Sequence, residues 1–166
     1  MAIWRFWFSR QYFVQSRRLV AAESSALVFG SVPETLTISG ATAIMYDDCV
    51  KLMEMPQHNS ISVCVFCEKE GLLELGERIN AKHEEAYMNG YGWDALIRFY
   101  VGEKDPALME EVESDPEAGM YSGYMKFSPE NLAKMKRFEA YVRELLADEK
   151  LLMEFVDAHC DEIEWD

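Results

Sequence analysis

From about residue 50 onward, apolar and polar positions fall into recognisable strand and helix patterns. Ile61-Ser-Val-Cys-Val-Phe66 is β-branched and aromatic, and Val50 to Met55 reads as its antiparallel neighbour across a turn at Pro56 to Asn59. Leu72, Leu75, Ile79 and Ala86 recur at helical spacing, which predicts a helix from about 70 to 87, weakened by Gly76 and closed by Asn89-Gly90. The clearest stripe is Trp93, Leu96, Ile97, Tyr100 and Val101, at i, i+3, i+4, i+7 and i+8 on one face of a helix ended by Gly102. Asp105-Pro106 supplies a cap and a first-turn proline for a short helix carrying Leu108, Met109 and Val112.

Ala118 to Phe127 reads as a strand with Tyr121, Met125 and Phe127 on one face, where Gly123 admits a close neighbour. Ser128-Pro129-Glu130 opens a helix whose buried stripe is Leu132, Met135, Phe138, Val142 and Leu145. A final helix from about 148 to 158 uses Leu151, Leu152, Phe155 and Val156. Beyond it, Ile163 and Trp165 alternate with acids, as in a short edge strand or an ordered tail. The strands are grouped rather than strictly alternating with helices, so the expected class is α+β, a small antiparallel sheet packed against three to five helices.

Residues 1–46 differ in character: arginine and aromatics come first, then small residues, with Val32-Pro33-Glu34 breaking any helix. Short strands at 3–8, 26–30 and 35–39 are the reading there. The expected organisation is an N-terminal extension over 1–46 and an α+β domain over 47–166 that holds a core of its own.

Charge narrows the partners. The formal net charge is −14, and Arg5, Arg10, Arg17 and Arg18 stand in a stretch without acids, so the rest of the chain is more acidic than the whole. Such a field repels nucleic-acid phosphates and anionic lipid and attracts basic proteins. No run approaches the ~20 apolar residues of a membrane span, and arginine interrupts the aromatic N-terminus where a signal peptide would need a continuous apolar stretch. A cytoplasmic protein with reduced thiols is expected, because Cys49, Cys64, Cys67 and Cys160 are too irregularly placed for a disulfide framework.

Cys64-Val-Phe-Cys67 matches C-x-x-C, yet residues an odd number apart in a strand point to opposite faces, so the thiols should diverge as buried core groups. His159-Cys160-Asp161 is no better as a metal cluster, since adjacent residues seldom converge on one ion, and no second Cys or His pair stands at usable spacing. Gly90-Tyr-Gly92 lacks the preceding strand and third glycine of a phosphate loop; its glycines are expected to permit a sharp helix-to-helix turn through positive φ. His58, His83 and His159 fall in unrelated contexts, and no nucleophile–base arrangement can be defended. The chain is therefore expected to have no catalytic residues, no cofactor and no metal.

Two acidic runs remain: Glu103 to Glu117, whose only base is Lys104, and Glu144 to Asp166, whose only base is Lys150. A solvated helix face is the usual meaning of such runs. Acids beside an aromatic, as in Glu162-Ile-Glu164-Trp165-Asp166, equally describe a surface that could fill the phosphate-binding cleft of a basic nuclease. An acidic adaptor or nucleic-acid mimic regulating a DNA-binding protein is the alternative function.

The order NGYGWDAL (Asn89–Leu96), DPEAGMY (Asp115–Tyr121) and a helix beginning SPENL (Ser128–Leu132) resembles the immunity-protein-51 family of bacterial polymorphic toxin systems. The resemblance covers roughly residues 50–166 and leaves 1–46 unaccounted for. It implies a small cytoplasmic binding protein that occludes a toxin's active site or a nearby exosite, with no turnover and no cofactor; the acidic charge, independently, speaks against nucleic acid and membrane as partners. It supplies no contact residues. Charge and aromaticity nominate Tyr91, Asp115, Glu117, Asp161, Glu162, Glu164, Trp165 and Asp166 for partner binding.

Overall fold

The computed structural model describes residues 46–165 of the chain. The strands expected at 3–8, 26–30 and 35–39 lie outside the described residues, as does Asp166. Within them the expected α+β class is found, as a four-stranded antiparallel sheet with five helices.

Strands β1 (Val50–Met55) and β2 (Ser60–Phe66) form the hairpin that their β-branched pattern predicts. Its connection is a single 3₁₀ turn, Pro56–His58, after which Asn59 adopts φ 52°, a left-handed conformation that asparagine tolerates. Strand β4 (Met120–Lys126) pairs with the other edge of β2, and the two-residue β3 (Glu113–Ser114) pairs with β4, giving the order β1-β2-β4-β3. Sequence reading does not anticipate β3, because two residues carry no periodicity.

The register sets the faces. Leu52, Val63 and Gly123 lie abreast, so Val50, Ile61, Val65, Tyr121 and Met125 share their side and form the floor of the core. Gly123 is small for a reason: a Cβ there would stand 2.9 Å from the Phe138 ring and 2.7 Å from the Tyr121 hydroxyl. Helix α4 (Pro129–Leu146) covers this face, with Met135, Phe138, Val142 and Leu145 buried as its stripe predicts. Ser128 caps it, its Oγ accepting from Asn131 N at 3.0 Å.

Helix α1 (Glu70–Lys82) ends five residues short of the expected 87. The reason is that Asn89-Gly90 does not close α1; it opens the next helix, α2 (Gly90–Lys104). Asn89 Oδ1 accepts from the backbone N–H groups of Tyr91 at 2.9 Å and Gly92 at 3.1 Å, the work of an N-cap. Ala86 is fully buried all the same, within the connection between the two helices. Gly102 does not end α2, which continues to Lys104 and hands over to Asp105, the cap of α3 (Pro106–Met109). Val112 lies past α3 and is buried. Helix α5 (Glu149–His159) starts at the Asp148 cap and buries Leu152 and Val156, whereas Leu151 is 61 % exposed rather than part of the stripe. The last described residues, 161–165, form no strand. They make a turn and a short tail in which Ile163 is buried and Trp165 rests against the core.

Candidate binding surface

The site is organised by α2. Its apolar stripe, Trp93, Leu96, Ile97 and Val101, is fully buried, which fixes the opposite face outward. That face presents Tyr91, Asp94 and Arg98, at i, i+3 and i+7, and Tyr91 is 41 % exposed.

The start of α2 is held by the β3–β4 connection. Gly90 N donates to Ala118 O at 3.1 Å, and Glu117 N donates to Met120 O at 2.8 Å. A Cβ on Gly90 would overlap the carbonyl oxygens of Glu117 and Met120, and one on Gly92 would overlap that of Tyr87. The two glycines therefore serve close backbone approach. The expected positive-φ turn is not there, since no described glycine has positive φ. The chain segments Met88–Trp93 and Asp115–Met120, separate in sequence, thus meet as one unit. Asp115 and Glu117 are exposed beside the first turn of α2, and Asp115 N donates to Ser122 O at 2.8 Å.

Farther along α2 the C-terminal tail comes alongside. Asp94, Arg98, Phe99, Glu162, Glu164 and Trp165 line an open cleft of about 460 Å³. Ser114 bridges the helix to β3: its Oγ donates to Asp94 Oδ1 at 2.7 Å and receives Arg98 Nη1 at 3.5 Å. The tail is pinned from within. Trp165 Nε1 donates to Cys160 O at 3.0 Å, Glu162 Oε1 lies 3.0 Å from His159 Nδ1, and the His159 ring stacks at 4.7 Å from Phe155 and 5.3 Å from Phe99. Trp165 is therefore partly buried and held by its indole, with Glu162 and Glu164 lining the same cleft.

The nominated residues accordingly fall in two places along one helix. Glu162, Glu164 and Trp165 share the cleft, Tyr91, Asp115 and Glu117 sit at the start of α2, Asp161 is exposed at the turn after α5, and Asp166 is outside the described residues. Sequence reading misses Asp94, Arg98 and Phe99. The helical spacing of Tyr91, Asp94 and Arg98 opposite the Trp93 stripe is the signal that could have found the first two.

Many other acids are neutralised within the chain. Glu144 meets Lys104 at 2.8 Å, Glu111 meets Lys134 at 2.7 Å, Asp105 meets Arg137 at 2.9 Å, and Glu149 meets Arg78 at 2.9 Å. Among the described residues no basic side chain forms an ion pair with Asp115, Glu117, Asp161 or Glu164, and Glu162 is matched only by His159.

The cysteines are sorted by the fold. Cys64 Sγ faces Met53 and Ser122, while Cys67 turns into the core, where its Sγ donates to Val65 O at 3.5 Å; the two thiols diverge, but by the turn that follows β2 and not by strand alternation, since the strand ends at Phe66. Burial pushes the Cys67 thiol up to about 12, which keeps it protonated and unreactive at neutral pH. No helix among the described residues is long and apolar enough to cross a membrane.

Comparison with known proteins yields one family: the model for immunity protein 51 matches residues 52–160. The match spans both the α2 signature and the β3–β4 connection that holds it. Nothing among curated proteins or solved structures matches the chain.

Proposed function

The chain belongs to the immunity protein 51 family, and from that premise we propose that it binds a cognate toxin domain and silences it by occlusion, acting through the outer face of α2, the Asp115–Glu117 connection and the C-terminal tail. The observation that carries this reading is the group of exposed carboxylates that pair with no lysine or arginine among the described residues, set around Trp165 and Tyr91. Placed on a rigid helix and a pinned tail, they form an anionic surface with two aromatic anchors. Such a surface complements a basic toxin, of which a phosphodiester-cleaving nuclease is the type best matched, because its active-site cleft is itself built to receive negative charge. The protein would act by binding alone, with no turnover and no cofactor.

The test is kinetic. The full chain is passed over its cognate toxin domain, by surface plasmon resonance, at 50 and 500 mM salt, values that carry the Debye length from about 14 Å to about 4 Å. Association should slow markedly as salt rises, and Glu164→Gln should slow it at low salt. Cells carrying the parent should survive the toxin. A complex whose on-rate ignores both salt and Glu164→Gln would place the contact on another face.

A further inference from the structure

Two side chains two residues apart in sequence and a third some 75 residues away converge beneath the tail. His83 follows the C-terminus of α1, Glu85 lies in the connection to α2, and Cys160 follows α5. One ligand atom from each, a ring nitrogen, a carboxylate oxygen and Sγ, all lie within 4.8 Å of one another. Cys160 Sγ donates to Glu85 Oε1 at 3.1 Å. Outside this trio, Asp157 on α5 stands 2.8 Å from His83 Nε2 and fixes the ring in place.

We propose that His83, Glu85 and Cys160 form a zinc site that fastens the α1–α2 connection to the end of α5. One thiol, one imidazole and one carboxylate are a mixed S, N, O donor set that suits a borderline-soft divalent ion and disfavours magnesium or calcium, which want oxygen alone. The carboxylate behind the imidazole is the arrangement that orients metal-bound histidine. Binding exchanges the Cys160 thiol proton for the ion, with the proton released to solvent and no change of oxidation state. Three protein ligands leave one tetrahedral position for water. The expectation of no metal rests on Cys64 with Cys67 and on His159 with Cys160; the fold assembles a different set, in which Cys160 is joined by groups some 75 residues away. The site also lies directly under the tail, since Cys160 O receives the Trp165 indole. This inference does not depend on toxin binding.

The experiment uses the full chain without an affinity tag, titrated with zinc chloride and, separately, with cobalt(II). We expect one zinc per chain retained through equilibrium dialysis, a melting temperature raised by several degrees, and a cobalt spectrum with tetrahedral ligand-field bands and a thiolate charge-transfer absorption. Cys160→Ser should abolish that absorption. His83→Gln and Glu85→Gln, which keep the approximate size of each side chain, should weaken zinc more than about tenfold, and Asp157→Asn by about tenfold. Cys64→Ser should leave binding unchanged. The proposal is overturned if no stoichiometric zinc is retained, if the cobalt complex lacks thiolate absorption, or if His83→Gln and Glu85→Gln bind zinc as the parent does. Should Cys160→Ser fail to fold, those two variants decide alone.

Discussion

Two acidic regions of this molecule look alike in sequence and differ in what surrounds their charges. Along α3, α4 and the start of α5, Asp105, Glu111, Glu144 and Glu149 each face a lysine or arginine of the same chain at 2.7 to 2.9 Å. Around the start of α2 and the C-terminal tail, Asp115, Glu117, Asp161 and Glu164 face no base among the described residues. The first set ties helix to helix: Lys104 of α2 reaches Glu144 of α4, and Arg78 of α1 reaches Glu149 of α5. Exposed pairs of this kind contribute about 0–1 kcal/mol each, so they trim the fold rather than build it. The second set contributes no such contact and accumulates repulsion. Charge kept without internal compensation, on rigid backbone, beside half-buried aromatics, is charge available to a partner.

The largest expected effect comes from removing the scaffold under the uncompensated face. Gly90→Ala places a methyl group where two backbone carbonyls already stand, and backbone gives way less readily than a side chain. A loss of more than about 3 kcal/mol is expected, above the usual cost of overpacking. Gly102→Ala, in the same helix, meets nothing within 4 Å and should stabilise by about 0.5–1 kcal/mol. Urea denaturation of the two variants measures both signs. If Gly90→Ala unfolds like the parent, the union of α2 with the β3–β4 connection is not what holds this end of the molecule.

Next comes the anchor itself. Trp165→Ala should weaken the toxin complex by about 2 kcal/mol or more, roughly thirtyfold in Kd, chiefly through faster dissociation. Calorimetry on the free protein separates lost affinity from a loosened tail. A variant that binds and protects like the parent would return Trp165 to a purely structural role, covering Phe99 and the end of α5.

Charge removal then divides the two regions. Glu164→Gln should lower the on-rate several-fold at low salt and leave stability almost untouched. Glu111→Gln and Glu144→Gln should do the reverse: on-rates within error of the parent, stability lower by up to about 1 kcal/mol. Equal effects on association from all three would mean that the net field, and not the local surface, steers the encounter.

How much of this the sequence discloses depends on whether the deciding contact is local. Helix α4 is legible in full because its cap, its first-turn proline and its stripe all lie within one segment. The start of α2 is misread because asparagine followed by glycine can close one helix or open another. Only the Tyr91 and Gly92 amides, bonded to Asn89, settle which. Strand β3 exists through its pairing with Gly123 and Tyr124 and has no pattern of its own. For the site, Glu162, Glu164 and Trp165 are legible as an acidic aromatic cluster. Their meeting with Asp94 and Arg98 is a product of tertiary packing, as is the convergence of His83 and Glu85 on Cys160. The compensation of the first part of each acidic run and not of its end is invisible for the same reason: Lys134, Arg137 and Arg78 lie in other elements.

The smallest expected effect sharpens the comparison from the side of the bases. Lys134 is held above its ordinary value of 10.5, first by its bond to Glu111 and then by Glu130, and Lys104 is raised by its bond to Glu144. A lysine whose folded pKa exceeds its unfolded one contributes stability that is fully present below the unfolded value and fades as pH rises through the folded value. The compensated region should therefore loosen only above about pH 10.5, while the uncompensated carboxylates, with no such partner to lose, contribute nothing to that decline. Stability of the parent and of Lys134→Gln, measured from pH 8 to 11.5, should differ by a small constant amount in the lower part of the range and converge in the upper part. Other groups titrate there too, but they are common to both proteins and cancel in the difference. A gap that persists unchanged to the highest pH would mean that Lys134 acts through the packing of its aliphatic stem rather than through its pairing with Glu111.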